Sequence, residues 1–426
     1  MPMNRRDFVS ASLGLATGLA TRAVGSAPDD VPRRFDVAIV GAGLFGSAAA
    51  RHLSQVNDSV ALIGPAEPAR PRAHQGVFGS HYDVSRLTRI VDPDPIWATL
   101  AKRSIARYRE IEERSAIGFY REIGYMMVTP GGLGADWFDL PAMREVASDL
   151  EVPIEVLDDA SLGQRFPYLR FTPGSGAIVQ PRNAGYIDPR MLLDAQQRIG
   201  IARGATLIRD EVVQLKTPGK QIEVGLRSGD VLYANRVLVA TGAYANAAKL
   251  LPRELEIDVR AAMIMLSEVA PDTPRDYPTT LYAKTDGEAN YWGLLMPPIA
   301  YPDGRSYVKT MDGYYGARPL EGRDEIGQWM RGTAHEDHHH VLERALREVF
   351  PALDVRSQRF QPCLIADTVS RYPYIDMLDD RIGVVGGGNG KAAKSSDEIG
   401  RIAAGMIGTG EWPSSLPQSL FAARFG

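Results

Sequence analysis

Three glycines early in the chain have the spacing of a phosphate-binding turn. The stretch VAIVGAGLFGSAAARHL places Gly41, Gly43 and Gly46 in a G-x-G-x-x-G pattern, after an apolar run and before an alanine-rich run. Glycine permits a tight turn and a close approach of the backbone to a pyrophosphate, and the N-terminus of a following helix offers free N–H groups to the anion. A strand, this turn and a helix, in this order, predict a dinucleotide-binding site.

The nucleotide fingerprint is incomplete at the end of the second predicted strand, SVALI at residues 59–63. An acid that holds a ribose is expected there, but the next residue is Gly64 and the nearest acid is Glu67. Either Glu67 reaches back to the ribose or the ribose is held in another way. The missing acid weakens the prediction of a freely exchanging NAD more than that of a bound flavin.

A single thiol is the second candidate for chemistry. Cys363 is the only cysteine among 426 residues. It can form no internal disulfide, and alone it cannot supply a structural zinc site, which takes about four ligands. From the residues themselves, three interpretations stay open: an inert buried thiol, a nucleophile, or an attachment point.

Several basic residues lie in segments that could place them in a site. Arg86 and Arg89 in SRLTR could clamp a carboxylate, because an arginine fork binds it through two hydrogen bonds. The same residues could also lie on a solvated helix face. Lys309 in GRSYVKTMDG shares a predicted strand face with Tyr307 and Met311, so it would be a cation on an otherwise apolar face.

Two later segments combine an apolar run with glycines: RVLVATGAYAN at residues 236–246 and DRIGVVGGGNGKAAKSSDEIGRIAAGMI at residues 380–407. The first predicts a strand that enters a turn, and the second predicts a strand, a glycine-rich loop and a final helix. Both are typical of flavoproteins whose nucleotide domain is assembled from separate segments, with the last loop beside the flavin ring. A glycine loop before a helix can also be a simple cap.

Composition excludes some classes of function. The 48 lysines and arginines against 52 aspartates and glutamates give a net charge of −4, so there is no basic footprint for nucleic acid. With 23% charged and 44% hydrophobic residues, the chain has the composition of a globular protein. A chain of 426 residues is too long for one simple hydrophobic core, since domains usually have about 100–200 residues.

The N-terminus resembles an export signal. In MNRRDFVSASLGLATGLATRAVGSA, Arg5, Arg6 and Phe8 precede a weakly apolar run and a small-residue stretch, as in a twin-arginine signal peptide. The run is too short for a transmembrane span, which needs about 20 residues. We expect a signal over residues 1–30, export by the twin-arginine machinery and a periplasmic or secreted location. A frayed basic N-terminus is the alternative.

The segment HEDHHH at residues 335–340 has the composition of a metal site. It opens the amphipathic run VLERALREVF, where Glu336 and Asp337 suit the positive end of a helix dipole and the histidines can be solvated. We therefore predict no metal site.

These motifs, in this order, resemble the FAD-dependent amine oxidases of the D-amino-acid oxidase superfamily, above all the group of monomeric sarcosine oxidase, N-methyltryptophan oxidase and pipecolate oxidase. The resemblance covers about residues 34–410 and rests on VGAGLFGSAAA, GSHYDVSRLTRI, GYIDPRMLLDA, LVATGAY and the region around Cys363. It implies an α/β fold with a discontinuous Rossmann-like FAD-binding domain and a mixed-sheet substrate (cap) domain. The expected FAD-binding segments are residues 34–95, 170–255 and 355–426, and the expected substrate segments are 96–169 and 256–354.

The resemblance also implies roles for single residues. Cys363 lies ahead of YID, as the family cysteine that bonds covalently to the flavin lies ahead of a similar strand, so we expect FAD to be attached there. Lys309 would promote the reaction with O2, Arg86 would lie near the flavin, and Arg89 would clamp the substrate carboxylate. The expected FAD-binding residues are Gly41, Gly43, Gly46, Glu67, Arg86, Cys363, Gly388 and Gly390.

Other positions either cannot be assigned to a family residue or differ from the family pattern. Lys391 and Lys394 flank the position of a family lysine that binds the substrate carboxylate, and a loop one residue longer does not allow a choice between them. Ile365 and Ala366 stand where the family commonly has a Tyr-Thr pair. Trp292 and Ile365 lie where its aromatic cage would be, so the size of the substrate pocket is open.

The expected reaction is oxidation of a secondary or N-methylated amino acid. A hydride equivalent would pass to the flavin, O2 would be reduced to H2O2, and the imine would hydrolyse. Two alternatives stay open: a dehydrogenase of the same fold that uses an acceptor other than oxygen, and a non-catalytic binding protein that kept the fold. The sequence does not identify the amine.

Overall fold

The computed structural model describes residues 33–131, 138–285, 290–312, 318–332 and 339–426. The predicted signal segment therefore lies outside the described residues. The helices are α1 (Leu44–Leu53), α2 (Pro95–Ile105), α3 (Tyr108–Ser115), α4 (Leu140–Asp149), α5 (Asp159–Arg165), α6 (Pro189–Ala202), α7 (Gly322–Met330), α8 (His339–Val349) and α9 (Ser396–Thr409).

The strands belong to two large sheets and one small sheet. They are β1 (Arg34–Val40), β2 (Val60–Ile63), β3 (Arg86–Thr88), β4 (Tyr120–Glu122), β5 (Tyr125–Pro130), β6 (Glu155–Leu157), β7 (Ser175–Gln180), β8 (Gly185–Ile187), β9 (Thr206–Ile208), β10 (Val212–Lys216), β11 (Ile222–Leu226), β12 (Val231–Val239), β13 (Ile257–Val269), β14 (Thr279–Thr285), β15 (Asn290–Ala300), β16 (Ser306–Asp312), β17 (Val355–Thr368), β18 (Tyr374–Met377) and β19 (Ile382–Gly386).

The first sheet has the strand order β10-β11-β12-β1-β2-β9, with β19 also paired to β12 and β18 paired to β19. Its centre is parallel: Ile39 of β1 lies opposite Leu238 of β12 on one side and Leu62 of β2 on the other. β2, Val37–Val40 of β1 and Val237–Val239 of β12 are buried apolar runs, as expected for the interior of a parallel sheet. The predicted strands and the final helix α9 are confirmed.

The alanine-rich face of α1 allows α9 to pack closely against it. Ala48 and Ala49 are fully buried, and a Cβ added at Gly400 of α9 would lie only 2.4 Å from the Cβ of Ala48. Small side chains at this crossing therefore hold α1 against the sheet, with its N-terminus next to the glycine turn.

The second sheet has the order β17-β13-β16-β15-β14-β5-β7-β6, and β3, β8 and β4 form the small sheet. One face of the second sheet carries a large apolar core that includes Met263, Val308 and Leu364. The other face points towards β3 and the turns of the first sheet. The predicted α/β fold with a nucleotide-binding sheet and a second, mixed sheet is confirmed.

Sheet membership differs from the predicted domain segments at two strands. β7 and β17 lie in segments assigned to FAD binding, yet both are strands of the second sheet. β17 belongs there because it pairs with β13 over nearly its whole length, from Thr368 opposite Ile257 to Val355 opposite Val269. The sequence shows the strand but not its partner, so the division into two domains stays a prediction.

Within the described segments, the helices are too short or too polar to cross a membrane.

Candidate active site

A cavity of about 550 Å³ lies between the first sheet and the second. The loops that follow β1, β2 and β12 reach it with Gly41, Gly64 and Thr241. Ligands of open α/β sheets bind at this edge, beyond the carboxyl ends of parallel strands. The predicted site residues that line the cavity are Gly41, Gly43, Arg86, Arg89, Lys309, Cys363, Gly388, Gly390, Lys391 and Lys394.

The glycine turn leaves no room for side chains at two of its three positions. Gly41 has φ +116°, and a Cβ there would lie 2.2 Å from the carbonyl oxygen of Ala240. A Cβ at Gly46 would lie 1.9 Å from the carbonyl oxygen of Gly41, so Gly46 packs the helix against the turn without lining the cavity. Gly43, the N-cap of α1, has open space where a Cβ would be. The free N–H groups of α1 thus face a space that a pyrophosphate can enter.

Gly64 explains why the fingerprint acid is absent. A Cβ at Gly64 would lie 2.5 Å from the backbone nitrogen of Ala42, so the turn after β1 occupies the space that an acidic side chain would need. Glu67 is instead paired with Arg190 through two hydrogen bonds of 2.6 and 2.7 Å, and it does not line the cavity. The cavity-lining acids after β9 are Asp210 and Glu211. A role for Glu67 at the ribose stays a prediction without structural support.

Thr241 supplies a polar atom that fits a bound ligand. Among the described residues, its buried Oγ1 has no hydrogen-bond partner. It lines the cavity at the end of β12. A buried hydroxyl without a partner costs stability unless a ligand or water satisfies it. Together with the glycine turn and the helix N-terminus, this hydroxyl fits FAD.

Lys309 and Cys363 lie on the same face of the second sheet. Lys309 of β16 is opposite Leu266 of β13, and Cys363 of β17 is opposite Ala262 of β13. Leu266 and Ala262 are four residues apart, and alternate residues of a strand share a face. The thiol and the ammonium group therefore both point into the cavity from one wall.

Asp83 joins the cations of this wall and is fully buried. Its Oδ2 accepts hydrogen bonds of 2.5 Å from Lys309 Nζ and from Arg86 Nη1. Its Oδ1 accepts one of 3.0 Å from the hydroxyl of Tyr301. Lys309 Nζ also donates to the carbonyl oxygen of Ser85, at 2.5 Å. We call Asp83, Arg86, Lys309 and Tyr301 the Asp83 cluster.

Burial and charge act against each other in the Asp83 cluster. Burial lowers the pKa of Lys309 to about 8, although the Asp83 carboxylate acts in the opposite direction. Burial alone would raise the pKa of Asp83, but the charges of Lys309 and Arg86 hold it below its ordinary value. At neutral pH the cluster contains one anion and two cations.

Arg86 extends this cluster to the thiol. Its Nη2 lies 3.4 Å from Cys363 Sγ and donates to the carbonyl oxygen of Ser80 at 3.2 Å. Residues 86–88 form a strand, so the alternative of a solvated helix face is wrong. The hydrogen bonds between β3 and β8 hold Arg86 at the thiol.

A second group of cations surrounds Asp92. Arg89 Nη2 lies 2.9 Å from Asp92 Oδ2, and its guanidinium carbon lies 4.9 Å from the centre of the Tyr125 ring. Lys391 Nζ donates to Asp92 Oδ1 at 3.0 Å. Arg89 is 3% exposed. Two of the predicted carboxylate-binding residues are therefore held by one buried acid.

Lys394 differs from Lys391 in its partners. Its side chain is almost fully buried, its Nζ donates to the carbonyl oxygen of Lys391 at 3.0 Å, and it lies 5.5 Å from the centre of the Trp97 ring. Burial, and then the charge of Arg89, lower the pKa of Lys394 to about 7. Burial also lowers the pKa of Lys391, although Asp92 opposes this shift. We call Arg89, Asp92, Lys391 and Lys394 the Asp92 cluster.

Asn389 fixes the glycine-rich loop that carries Gly388 and Gly390. Its backbone nitrogen donates to the carbonyl oxygen of Ala366 at 2.9 Å, and its Oδ1 accepts from the backbone nitrogen of Thr368 at 2.9 Å. These bonds tie the loop to β17, at positions three and five residues beyond Cys363. The loop therefore forms part of the wall that carries the thiol.

Three residues of the site were not found by sequence reasoning: Asp83, Asp92 and Asn389. Two of them lie next to predicted arginines, in YDVSRLTRIVD. An acid beside arginines is common on protein surfaces. The sequence does not show that Asp83 and Asp92 are fully buried, and this burial is what marks them as site residues.

For the parts of the chain that the structure describes, no cluster of three or more His, Cys, Asp or Glu side chains could hold a metal ion. Residues 335–338 of HEDHHH lie outside those parts. The prediction for that segment is therefore not tested.

Comparison with known families identifies the class of enzyme. Residues 36–406 match the family DAO, described as FAD dependent oxidoreductase. The chain belongs to this family. It is thus an FAD-dependent oxidoreductase, in agreement with the glycine turn and the cavity, and the expectation of an enzyme is confirmed.

Individual relatives of this FAD-dependent oxidoreductase are distant. Monomeric sarcosine oxidase of Streptomyces avermitilis is 24% identical over 408 residues, which cover 92% of this chain and 97% of that protein. N-methyl-L-tryptophan oxidase of Yersinia pestis is 21% identical over 396 residues, covering 92% and 99%. The solved structure of NikD, an unusual amino acid oxidase essential for nikkomycin biosynthesis, has a TM-score of 0.76 at 20% identity, covering 92% and 98%. The similarity to the NikD structure shows the fold of this chain.

Proposed function

We propose that this enzyme oxidises a secondary or N-methylated amino acid and passes the electrons to O2, which gives H2O2. The observation that carries the proposal is a cavity with two cationic clusters, one around Asp83 beside the thiol and one around Asp92. The similarity to sarcosine oxidase and N-methyltryptophan oxidase supports an amino acid as donor.

The Asp92 cluster would bind the substrate carboxylate. Arg89 and Lys391 contact Asp92, and Lys394 lies beside them, so the cluster presents a concentration of positive charge to an incoming carboxylate. Arg89 has a planar fork that suits a carboxylate, and within the described residues Lys394 Nζ donates to the neutral carbonyl oxygen of Lys391. We infer that Lys394 and Arg89 contact the carboxylate and that Lys391 mainly holds Asp92.

Apolar side chains would enclose the rest of the substrate. Met127, Leu281, Trp292, Leu294 and Met311 line the same cavity from β5, β14, β15 and β16. They would exclude water from the reacting C–H bond and accept an apolar substituent. This wall favours a substrate with an apolar side chain or ring over an acidic one.

FAD would be held by the turn at Gly41 and Gly43, by Thr241 and, through a covalent bond, by Cys363. Bound FAD supplies the acceptor for the hydride equivalent that leaves the carbon beside the amine nitrogen. Arg86 would hold its positive charge beside the sulfur of Cys363. Lys309 would place its ammonium group where negative charge develops on O2.

One observation favours a second candidate, a dehydrogenase of the same fold. Lys309 donates directly to the buried Asp83, which offsets part of the charge that an approaching O2 would meet. A weakened field at this point would slow the reaction with O2 and leave the electrons to another acceptor.

The purified protein, expressed without residues 1–30, tests the proposal. We expect a yellow protein that releases H2O2 with N-methyl and cyclic amino acids and is inactive with the matching amines that lack a carboxylate. A flavoprotein that oxidises these amino acids with a dye but releases no H2O2 would establish the dehydrogenase. Absence of activity with every amino acid under both conditions would contradict an amino acid donor.

We also propose that residues 1–30 are a twin-arginine signal and that the enzyme works outside the cytoplasm. The support is the order of Arg5, Arg6 and Phe8 ahead of a short, weakly apolar run. This export route carries folded proteins, which suits an enzyme that must take up FAD before it leaves the cytoplasm.

A further inference from the structure

Asp83 is a buried acid that binds donors from several different elements of the fold. It is fully buried, and its two oxygens accept from Lys309, Arg86, the Tyr301 hydroxyl and the backbone nitrogen of Val84. Two of these donors line the cavity from different elements, Lys309 from β16 and Arg86 from β3. One carboxylate thus joins the small sheet to the second sheet at the wall that carries Cys363.

The surroundings of Lys309 leave Asp83 as its main anionic partner. The neighbours of Lys309 across the sheet are Leu266 of β13 and Met296 of β15, both apolar and fully buried. The titratable groups that face it are Asp83, Arg86 and Cys363.

Tyr301, which follows β15, faces Asp83 and donates to it. Burial raises the pKa of Tyr301 above its ordinary value, so this hydroxyl stays protonated near neutral pH. A lysine in such surroundings loses its proton easily unless an anion touches it.

We propose that Asp83 is the positioning residue that fixes the Lys309 ammonium group on the cavity wall and keeps it charged at neutral pH. Asp83 does this through the 2.5 Å hydrogen bond to Nζ, while Arg86 and Tyr301 hold the carboxylate in place. The inference deepens the proposed function, since a charged Lys309 is the group assigned to O2, but it concerns the resting enzyme and needs no substrate.

The sign of the effect follows from the charges. Lys309 is charged below its pKa of about 8 and loses the charge as pH rises through that value. Asp83→Asn is nearly the same size but removes the anion and leaves Arg86 as the nearest charge, so the pKa of Lys309 should fall. Loss of a contacting buried anion corresponds to a shift of about 1–3 pH units.

The test is a pH titration, from pH 5 to 10, of the visible absorption of the flavin-loaded enzyme without substrate. A charge that disappears from the cavity wall changes the absorption of a chromophore bound there. The wild type should show a transition with its midpoint near pH 8. Lys309→Met and Lys309→Arg should both lack it, the first because it is never charged and the second because it always is.

In the same titration, Asp83→Asn should move the midpoint down by at least one pH unit, and the double variant D83N/K309M should show no transition beyond that of Lys309→Met alone, in which only other cavity groups such as Lys394 titrate. Asp83→Glu retains an anion and should bring the midpoint back towards the wild-type value. A wild type without a transition that depends on Lys309, or an unmoved midpoint in Asp83→Asn, would overturn the proposal.

Thermal unfolding gives a second measurement that does not need Asp83→Asn to fold. With Asp83 intact, Lys309→Arg keeps a cation against it and should melt near the wild-type temperature, whereas Lys309→Met should melt lower. Equal melting temperatures for the two variants would also overturn the proposal. Neither measurement uses an amine or O2, so a failure of the proposed oxidase activity is seen separately in the peroxide assay.

Discussion

The guanidinium group of Arg86 lies 3.4 Å from the sulfur of Cys363 while the same side chain is bound to the buried Asp83. The single thiol of the chain therefore faces the cavity beside a cation that has a fixed position. An inert core cysteine would be packed among apolar side chains, whereas this sulfur lines the cavity beside a charged group.

The first prediction concerns attachment of the flavin. If Cys363 forms a thioether with FAD, acid-precipitated wild-type protein stays yellow, and a tryptic peptide that contains Cys363 carries the mass of FAD. Cys363→Ser should fold, since serine is nearly the same size, but should release its flavin into the acid supernatant. Flavin in the wild-type supernatant would show that the bond is absent.

The second prediction concerns Lys309 and O2. Lys309→Met should slow reoxidation of the reduced enzyme by about 10²–10³-fold, the size of effect expected when one preorganised charge is lost. Reduction by the amino acid should change far less. Stopped-flow measurement of the two half-reactions separates these rates, with Lys309→Arg as the control that retains the charge. Unchanged reoxidation in Lys309→Met would reject this role.

The third prediction concerns pH and carboxylate binding. Lys394 has a pKa of about 7, so its charge is present below pH 7 and lost as pH rises through that value. KM for an amino acid should therefore increase above pH 7, by about 10–150-fold if one charge-assisted hydrogen bond worth about 1.5–3 kcal/mol is lost. Lys394→Met should have a raised KM without this pH step. Lys391→Met is the matched control and should retain the step; a step that persists in Lys394→Met would assign it to another group.

The fourth prediction concerns the glycine turn. Gly41→Ala places a Cβ against the carbonyl oxygen of Ala240 at a positive φ, so it should cost at least about 1–3 kcal/mol of stability and reduce the flavin content. Gly219→Ala is the control, because a Cβ there has no atom within 4 Å. Flavin absorbance per protein and thermal unfolding measure both effects. Equal flavin content in the two variants would contradict the assigned turn.

The fifth prediction concerns export. Replacing Arg5 and Arg6 together by lysine should leave the full-length precursor in the cytoplasm, folded and loaded with flavin. Fractionation of cells that express the wild type and the double variant measures this. Normal export of the double variant would contradict a twin-arginine signal.

The elements that carry local patterns could be predicted from the sequence, and the partners of buried charges could not. The turn at Gly41 and the apolar face of Lys309 follow from spacing along a few residues. The pairing of Lys309 with Asp83 joins residues that are 226 positions apart, and nothing in either local pattern indicates it. The same holds for the place of β17, whose long-range pairing with β13 decides which sheet carries Cys363.

Gly64 is a position where the sequence shows a difference from the fingerprint but not its structural reason. The sequence showed that the expected acid was absent, and Glu67 was the nearest substitute. Only the structure shows that the turn at Ala42 fills the space and that Glu67 is bound to Arg190.

The central claim, oxidation of an amino acid by a bound flavin with O2 as acceptor, is tested most directly by a single turnover. One equivalent of an N-methyl or cyclic amino acid is added to the enzyme without oxygen, and air is then admitted. We predict that the flavin absorbance is bleached, returns on addition of air, and is accompanied by one equivalent of H2O2. Bleaching that persists in air and is reversed only by an added dye, or no bleaching with any amino acid, would contradict the claim.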